Sequence, residues 1–178
     1  MTNLINFLTL SRIFLGGIIF ALLMRPEGYF LGFILFFVAG ATDYFDGYLA
    51  RKYKLTSELG EILDPIADKI LIVFVLFGLS VNLTSYFIAF MASLIVTREI
   101  WVGALRDFNA RKRKSDATKV TFLAKIKTSI QLFTISIYLL GLTLNNMLLI
   151  LFGDMFLFLS LLITIYTGYV YTYKSFKN

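Results

Sequence analysis

Residues 43–68 read DYFDGYLARKYKLTSELGEILDPIAD, and this stretch sets Asp43, Asp46, Asp64 and Asp68 in a chain that otherwise reads as lipid-soluble helix. An ionised Asp at a bilayer centre costs roughly 2.5–3.5 kcal/mol on insertion scales, so four unpaired ones would be a large penalty. The stretch therefore calls for a bound cation. If its first half is helical, Asp43, Asp46, Gly47 and Ala50 follow i, i+3, i+4, i+7 and share one face. Two carboxylates then stand beside two small residues, where a ligand can approach the helix backbone closely. In the second half Gly60, Asp64 and Asp68 are spaced i, i+4, i+8, and the eight residues between Arg51 and Gly60 make the reversal. Antiparallel packing of the two helices would gather all four carboxylates, and like charges that close do not all ionise without a cation. Oxygen donors favour Mg²⁺, Mn²⁺ or Ca²⁺ over thiophilic metals. Ion pairing with Arg51 or Lys69, or a cation path through a transporter, are other uses of intramembrane aspartates. Neither requires Gly47, Ala50 and Gly60 at those offsets.

The surrounding composition fits the same picture. Of 178 residues, 58% are hydrophobic, 17% aromatic and 16% charged, and the mean hydropathy is +0.80. The apolar residues fall in runs of about 20, the length that crosses a hydrocarbon core. The expectation is one integral-membrane domain over residues 1–178. The sequence has no cysteine and no histidine, which excludes disulfides, thiol nucleophiles, imidazole bases and Cys/His zinc sites. The remaining chemistry is carboxylate chemistry. The net charge of +6 on a hydrophobic chain points to anionic lipid headgroups and the cytoplasmic side, not to nucleic acid.

Hydropathy and breakers divide the chain into six helical segments, at about 7–24, 29–51, 58–80, 84–106, 121–144 and 147–173. The fold class is all-α integral membrane, with six transmembrane helices and both termini on one side. The connectors near Arg25–Gly28, Ser80–Thr84 and Gly141–Asn146 hold a single basic residue, Arg25. The other connectors and the tail hold Lys52, Lys54, Arg111, Lys112, Arg113, Lys114, Lys119, Lys174 and Lys177. By the positive-inside rule the latter face the cytoplasm, which turns the aspartates inward. Met1–Ser11 does not resemble a secretory signal, and no Arg-rich presequence is expected.

The eight fixed positions Asp43-x2-Asp46-Gly47-x2-Ala50-Arg51-x8-Gly60-x3-Asp64-x3-Asp68 match without departure the signature of the CDP-alcohol phosphatidyltransferases. The chain resembles that family in its six-segment hydropathy as well. The resemblance implies transfer of a phosphatidyl group from CDP-diacylglycerol to an alcohol, with release of CMP. It implies two divalent ions, Mg²⁺ or Mn²⁺, held by Asp43, Asp46, Asp64 and Asp68, with Asp68 taking the proton of the attacking hydroxyl. It places Gly47, Ala50, Arg51 and Gly60 along the CDP pocket.

Three further stretches resemble the bacterial phosphatidylglycerophosphate synthases, a branch of that family: Arg98-Glu99-Ile100, Ala104-Leu105-Arg106-Asp107 and Ala124-Lys125-Ile126-Lys127-Thr128. Arg98 and Arg106 lie eight apart on one expected helix, and Lys125 and Lys127 open the next. Together they would furnish a cationic pocket for the phosphate of sn-glycerol 3-phosphate, with Glu99 placed to orient an Arg side chain. Interfacial cations snorkelling to headgroups are the alternative for these residues. Asn6 through Arg12 resembles the start of the same enzymes. Departures are Ile5 and Gly16-Gly17 where prolines are common, with a different kink of the first helix as the consequence, and Ala124 where a Gly is usual.

The expected function is synthesis of phosphatidylglycerophosphate from CDP-diacylglycerol and sn-glycerol 3-phosphate, in a bacterial cytoplasmic membrane. A homodimer is implied by the resemblance alone. A sibling enzyme using inositol phosphate, serine or phosphatidylglycerol, and a cation transporter, are the alternatives.

Overall fold

A computed structural model describes residues 2–53, 58–112 and 122–177. The side chains of residues 2–6, 8, 43–53, 58–62, 64, 65, 122, 124 and 125 lie outside that description. The described chain is helical throughout: α1 (Thr2–Leu22), a 3₁₀ turn (Pro26–Gly28), α2 (Tyr29–Tyr53), α3 (Glu58–Asn82), α4 (Tyr86–Arg111), α5 (Phe122–Thr143) and α6 (Met147–Phe176). Each falls on one of the six hydropathy segments. Differences lie at the ends: α4 runs on to Arg111, a basic residue in its last turn that meets the negative end of the helix dipole.

Helix α3 is the hub. Ala67, Leu71, Ile72, Val75, Leu76 and Leu79 recur at helical spacing and are all buried, against α1, α4 and α5. On the other side of the bundle α6 packs on α4 and α5. The α1–α3 contact is close because glycines line it. A Cβ on Gly16 would stand 3.3 Å from the Leu71 Cα, and one on Gly78 would stand 3.0 Å from a Leu23 methyl. Gly16-Gly17 thus sits within one continuous helix, and Gly16 serves packing against α3 while Gly17 borders open space.

Two of the turns share one construction. At the end of α3, Ser85 N–H donates to Ser80 O (2.9 Å), Thr84 N–H donates to Val81 O (3.2 Å), and Thr84 has φ 48°. At the end of α5, Asn146 N–H donates to Gly141 O (2.9 Å), Asn145 N–H to Leu142 O (3.2 Å), and Asn145 has φ 49°. Both are Schellman closures with a left-handed residue. Ser85 and Asn146 then cap the next helix, accepting from Ile88 N–H and Leu148 N–H. One residue closes a helix and opens the following one, so the hairpins are short.

The exterior is apolar, and polar side chains stand inside a largely apolar core. Arg12, Arg98, Asn109, Lys127, Gln131, Thr134, Ser160 and Thr164 are buried, while Phe7, Phe14, Phe30, Phe90, Trp101, Leu148, Met155 and Tyr169 are exposed. An apolar exterior, with polar groups withdrawn to the interior, is what a hydrocarbon solvent selects. Tyr86–Arg111, Ile126–Thr143 and Met147–Phe176 are each long and apolar enough to cross a membrane, and Thr9–Leu22 and Pro26–Thr42 form shorter apolar helices. The chain is a multi-pass, all-helical membrane protein.

Candidate functional site

The aspartates occupy the expected helices. Asp43 and Asp46 lie on α2, and Asp64 and Asp68 on α3, either side of the 54–57 connector. The side chains of Asp43, Asp46, Asp64, Arg51 and Ala50, with Gly47 and Gly60, fall outside the described ones. Asp68 is described. Its Oδ1 accepts from Arg12 Nη1 at 2.6 Å; Arg12 is fully buried and Asp68 is 40% exposed. Thr9, one turn earlier on α1, lies 3.4 Å from Arg12 Nη2 through its hydroxyl. A buried guanidinium on α1 therefore fixes the Asp68 carboxylate from behind, and the carboxylate faces a cavity.

That cavity, of about 650 Å³, lies between α3, α4, α5 and the end of α6. Its charged lining comprises Asp68, Lys69, Arg98, Glu99, Arg106, Asp107 and Lys127. Apolar residues such as Ile72, Ile95 and Ile100 close its upper wall, and Thr128, Gln131 and Tyr171 add polar groups. The charged residues come from the middle of α3, from the middle and last turns of α4, and from the start of α5. The cavity thus reaches from the middle of the bundle toward the end where α4 closes on Arg111 and Lys112.

Glu99 is the centre of the charge. Its Oε1 accepts from Arg98 Nη1 (2.8 Å) and from Lys127 Nζ, and Lys69 Nζ lies 3.6 Å from Oε2. Three helices are thus tied through one carboxylate. Arg98 extends the tie to a fourth: Nε donates to Thr164 O (2.9 Å), Nη2 to Thr167 Oγ1 (2.7 Å), and the guanidinium lies 5.9 Å from the Tyr171 ring centroid. Gly168 makes room for this passage, since a Cβ there would meet Arg98 Cγ at 3.2 Å.

Of the four cations expected to hold an acceptor phosphate, Arg98, Arg106 and Lys127 line the one cavity with Asp68. Lys125 lies outside the described side chains. Arg98 is bonded to α6 and Glu99, which makes it the anchor of the set. Glu99 orients Arg98, as its place in the sequence suggested. Lys69 pairs with Glu99 rather than with an aspartate among the described residues. Sequence reasoning did not assign a role to Arg12 or a site to Lys69. The adjacency of Lys69 to Asp68 was the available signal for the second.

Carboxylate oxygens supply the candidate donor set, in a chain with no thiol and no imidazole. Those are hard donors that suit a divalent cation of the Mg²⁺ class, and Asp68 already accepts from a cationic partner at 2.6 Å.

Similarity to known proteins extends over nearly the whole chain. Residues 2–166 match the model of the CDP-alcohol phosphatidyltransferase family. The chain is 40% identical to the CDP-diacylglycerol–glycerol-3-phosphate 3-phosphatidyltransferase of Rickettsia bellii, across 99% of this chain and 96% of that one. It is 38% identical to the enzyme of the same name from Rickettsia typhi, across 100% and 99%. Against that of Blochmanniella floridana it is 34% identical, across 97% and 90%.

Proposed function

The chain belongs to the CDP-alcohol phosphatidyltransferase family, and from that membership we propose the reaction and the residues that carry it. It transfers the phosphatidyl group of CDP-diacylglycerol to sn-glycerol 3-phosphate, giving phosphatidylglycerophosphate and CMP, the activity its full-length relatives are named for. The observation that carries the acceptor is the cavity itself. Asp68 and the cations Arg106 and Lys127 line one space, so a molecule with an anion at one end and a hydroxyl at the other can span them. A neutral alcohol would leave the net positive charge of the lining unanswered.

The family uses divalent metal ions, and Asp43, Asp46, Asp64 and Asp68 are the residues that would hold them here, two Mg²⁺ or Mn²⁺ in this reading. Bound there, the ions would supply neutralisation of the charge developing on the diphosphate. The chain's own groups do the rest. Asp68 accepts the proton of the attacking hydroxyl, with its carboxylate held in place by Arg12. Arg98, Arg106, Lys125 and Lys127 bind the acceptor phosphate, and Arg98 also ties α4 to α6. Gly47, Ala50, Arg51 and Gly60 line the space for CDP. The oxygen of the acceptor attacks the phosphorus bearing the diacylglycerol, the bond to the CMP oxygen breaks, and CMP leaves with its charge increased.

In this reading six helices span a bacterial cytoplasmic membrane with both termini and the site inside, and the protein works as a homodimer in one membrane domain. Lipid donor enters sideways and polar acceptor enters from the cytoplasm. The test is purified protein in detergent with CDP-diacylglycerol, Mg²⁺ and each candidate acceptor in turn. CMP release that depends on sn-glycerol 3-phosphate, with phosphatidylglycerophosphate as product, is expected. Release only with serine, inositol phosphate or phosphatidylglycerol overturns the acceptor. No release with any acceptor, from folded protein, makes the transporter the reading to pursue.

A further inference from the structure

We propose that Lys69 is a direct contact to the acceptor phosphate, held by Glu99 when the cavity contains no anion. The inference rests on the acceptor reading above and adds to it a residue that neither motif includes. Three cations surround Glu99, and they are not equivalent. Arg98 is buried and bonded to Thr164 O and Thr167 Oγ1 as well as to Glu99. Lys127 is buried and hydrogen-bonded to the same Oε1. Lys69 is 39% exposed, and at 3.6 Å from Oε2 its contact is a Coulombic one beyond hydrogen-bonding length. Of the three it is held most loosely and stands furthest into open space.

Charge favours the same assignment. With Asp68 answered by Arg12, the cavity lining holds four cations, Lys69, Arg98, Arg106 and Lys127, against the two carboxylates Glu99 and Asp107, an excess of two. A phosphomonoester dianion answers that excess. The ammonium of a lysine is a mobile point charge on a flexible stem, suited to turn from a carboxylate to an arriving phosphate.

Position adds a reason tied to the reaction. Lys69 follows Asp68 directly on α3, and both line the cavity. A phosphate gripped by Lys69 is therefore registered against the same helix turn that carries the proposed base. Anchor and base then move together, which sets where the attacking hydroxyl lies.

The experiment is steady-state kinetics of full-length Lys69→Met and Lys69→Arg in detergent, with a thermal shift on adding sn-glycerol 3-phosphate without donor. For Lys69→Met the expected result is an acceptor KM raised about 10-fold or more, a donor KM within about 2-fold, and a smaller thermal shift. Lys69→Arg keeps the cation and is expected to recover most of the acceptor affinity. Lys69→Gln replaces the Met variant if that one does not fold. An acceptor KM unchanged in the neutral variants overturns the proposal. Arg106→Ala and Lys127→Ala measured alongside keep the two readings apart. If they raise the acceptor KM while Lys69→Met does not, Lys69 alone loses its role. If none of the cation variants moves it, the acceptor pocket falls as well.

Discussion

A guanidinium with no exposed surface is tolerable in a membrane bundle where its charge is answered, and Asp68 answers Arg12 at 2.6 Å. The pair makes Asp68 a good position for separating charge from structure. In Asp68→Asn the amide oxygen can still accept from Arg12 while the negative charge and the basicity are gone. Turnover is expected to fall at least about 1,000-fold, with the protein still folded and monodisperse in detergent. Near wild-type turnover in that variant would remove Asp68 from the role of base. The spacing of aspartates was readable from the sequence because helix periodicity is local. Arg12 was not, since 56 residues separate it from Asp68 and only the α1–α3 packing joins them. Lys69 illustrates the same limit. Its nearest carboxylates in sequence are aspartates, yet the fold brings Glu99 of α4 to it.

At the scale of elements, the six helices were legible because each is a long apolar run between breakers. Their mutual arrangement is set by contacts that hydropathy does not register. One is the seat of Tyr138 on α6. Its hydroxyl donates to Asp154 at 2.6 Å, and a Cβ on Gly153 would meet three carbons of its ring at 2.7–2.9 Å. Tyr138 is fully buried, so the ring has little room to give. Gly153→Ala is expected to destabilise the α5–α6 pair by about 1–3 kcal/mol, the usual cost of overpacking, and to lower the melting temperature in detergent. An unchanged melting temperature would mean that α5 and α6 shift apart freely, against the close seat described here. The turns show a second hidden layer. Thr84 is a β-branched residue in the left-handed region, a choice that propensity argues against, and the Schellman bonds around it hold it there. The polar ladder from α4 to α6 belongs to the same layer. Arg98 on Thr164 and Thr167, Trp101 on Thr172 and Asn109 on Ser175 join residues 66 to 71 apart in sequence.

For the whole molecule, the proposed orientation rests on where the cations sit relative to the bundle ends. Lys112 and Lys177 close α4 and α6 at the end that carries the cavity, while Glu27, Thr84 and Asn145 lie in the turns at the opposite end. The cytoplasmic leaflet is anionic, so the proposed orientation puts the basic end inward, on the side from which a water-soluble acceptor would come. The absence of cysteine makes this directly testable, because a single introduced thiol is then the sole site for a maleimide. Lys112→Cys and Lys177→Cys, at exposed positions, are expected to resist a membrane-impermeant maleimide in intact cells and to react after the membrane is opened. Glu27→Cys and Asn145→Cys, also exposed, are expected to react in intact cells. Thr84→Cys serves as a third reporter of the outer end. Mixed labelling within one group would break the six-span count, because two residues at one end of an antiparallel bundle differ in side only if a helix fails to cross. Labelling of both groups in the reverse sense would keep the six spans and turn the cavity outward, which would separate the cations from the cytoplasmic acceptor they are proposed to bind.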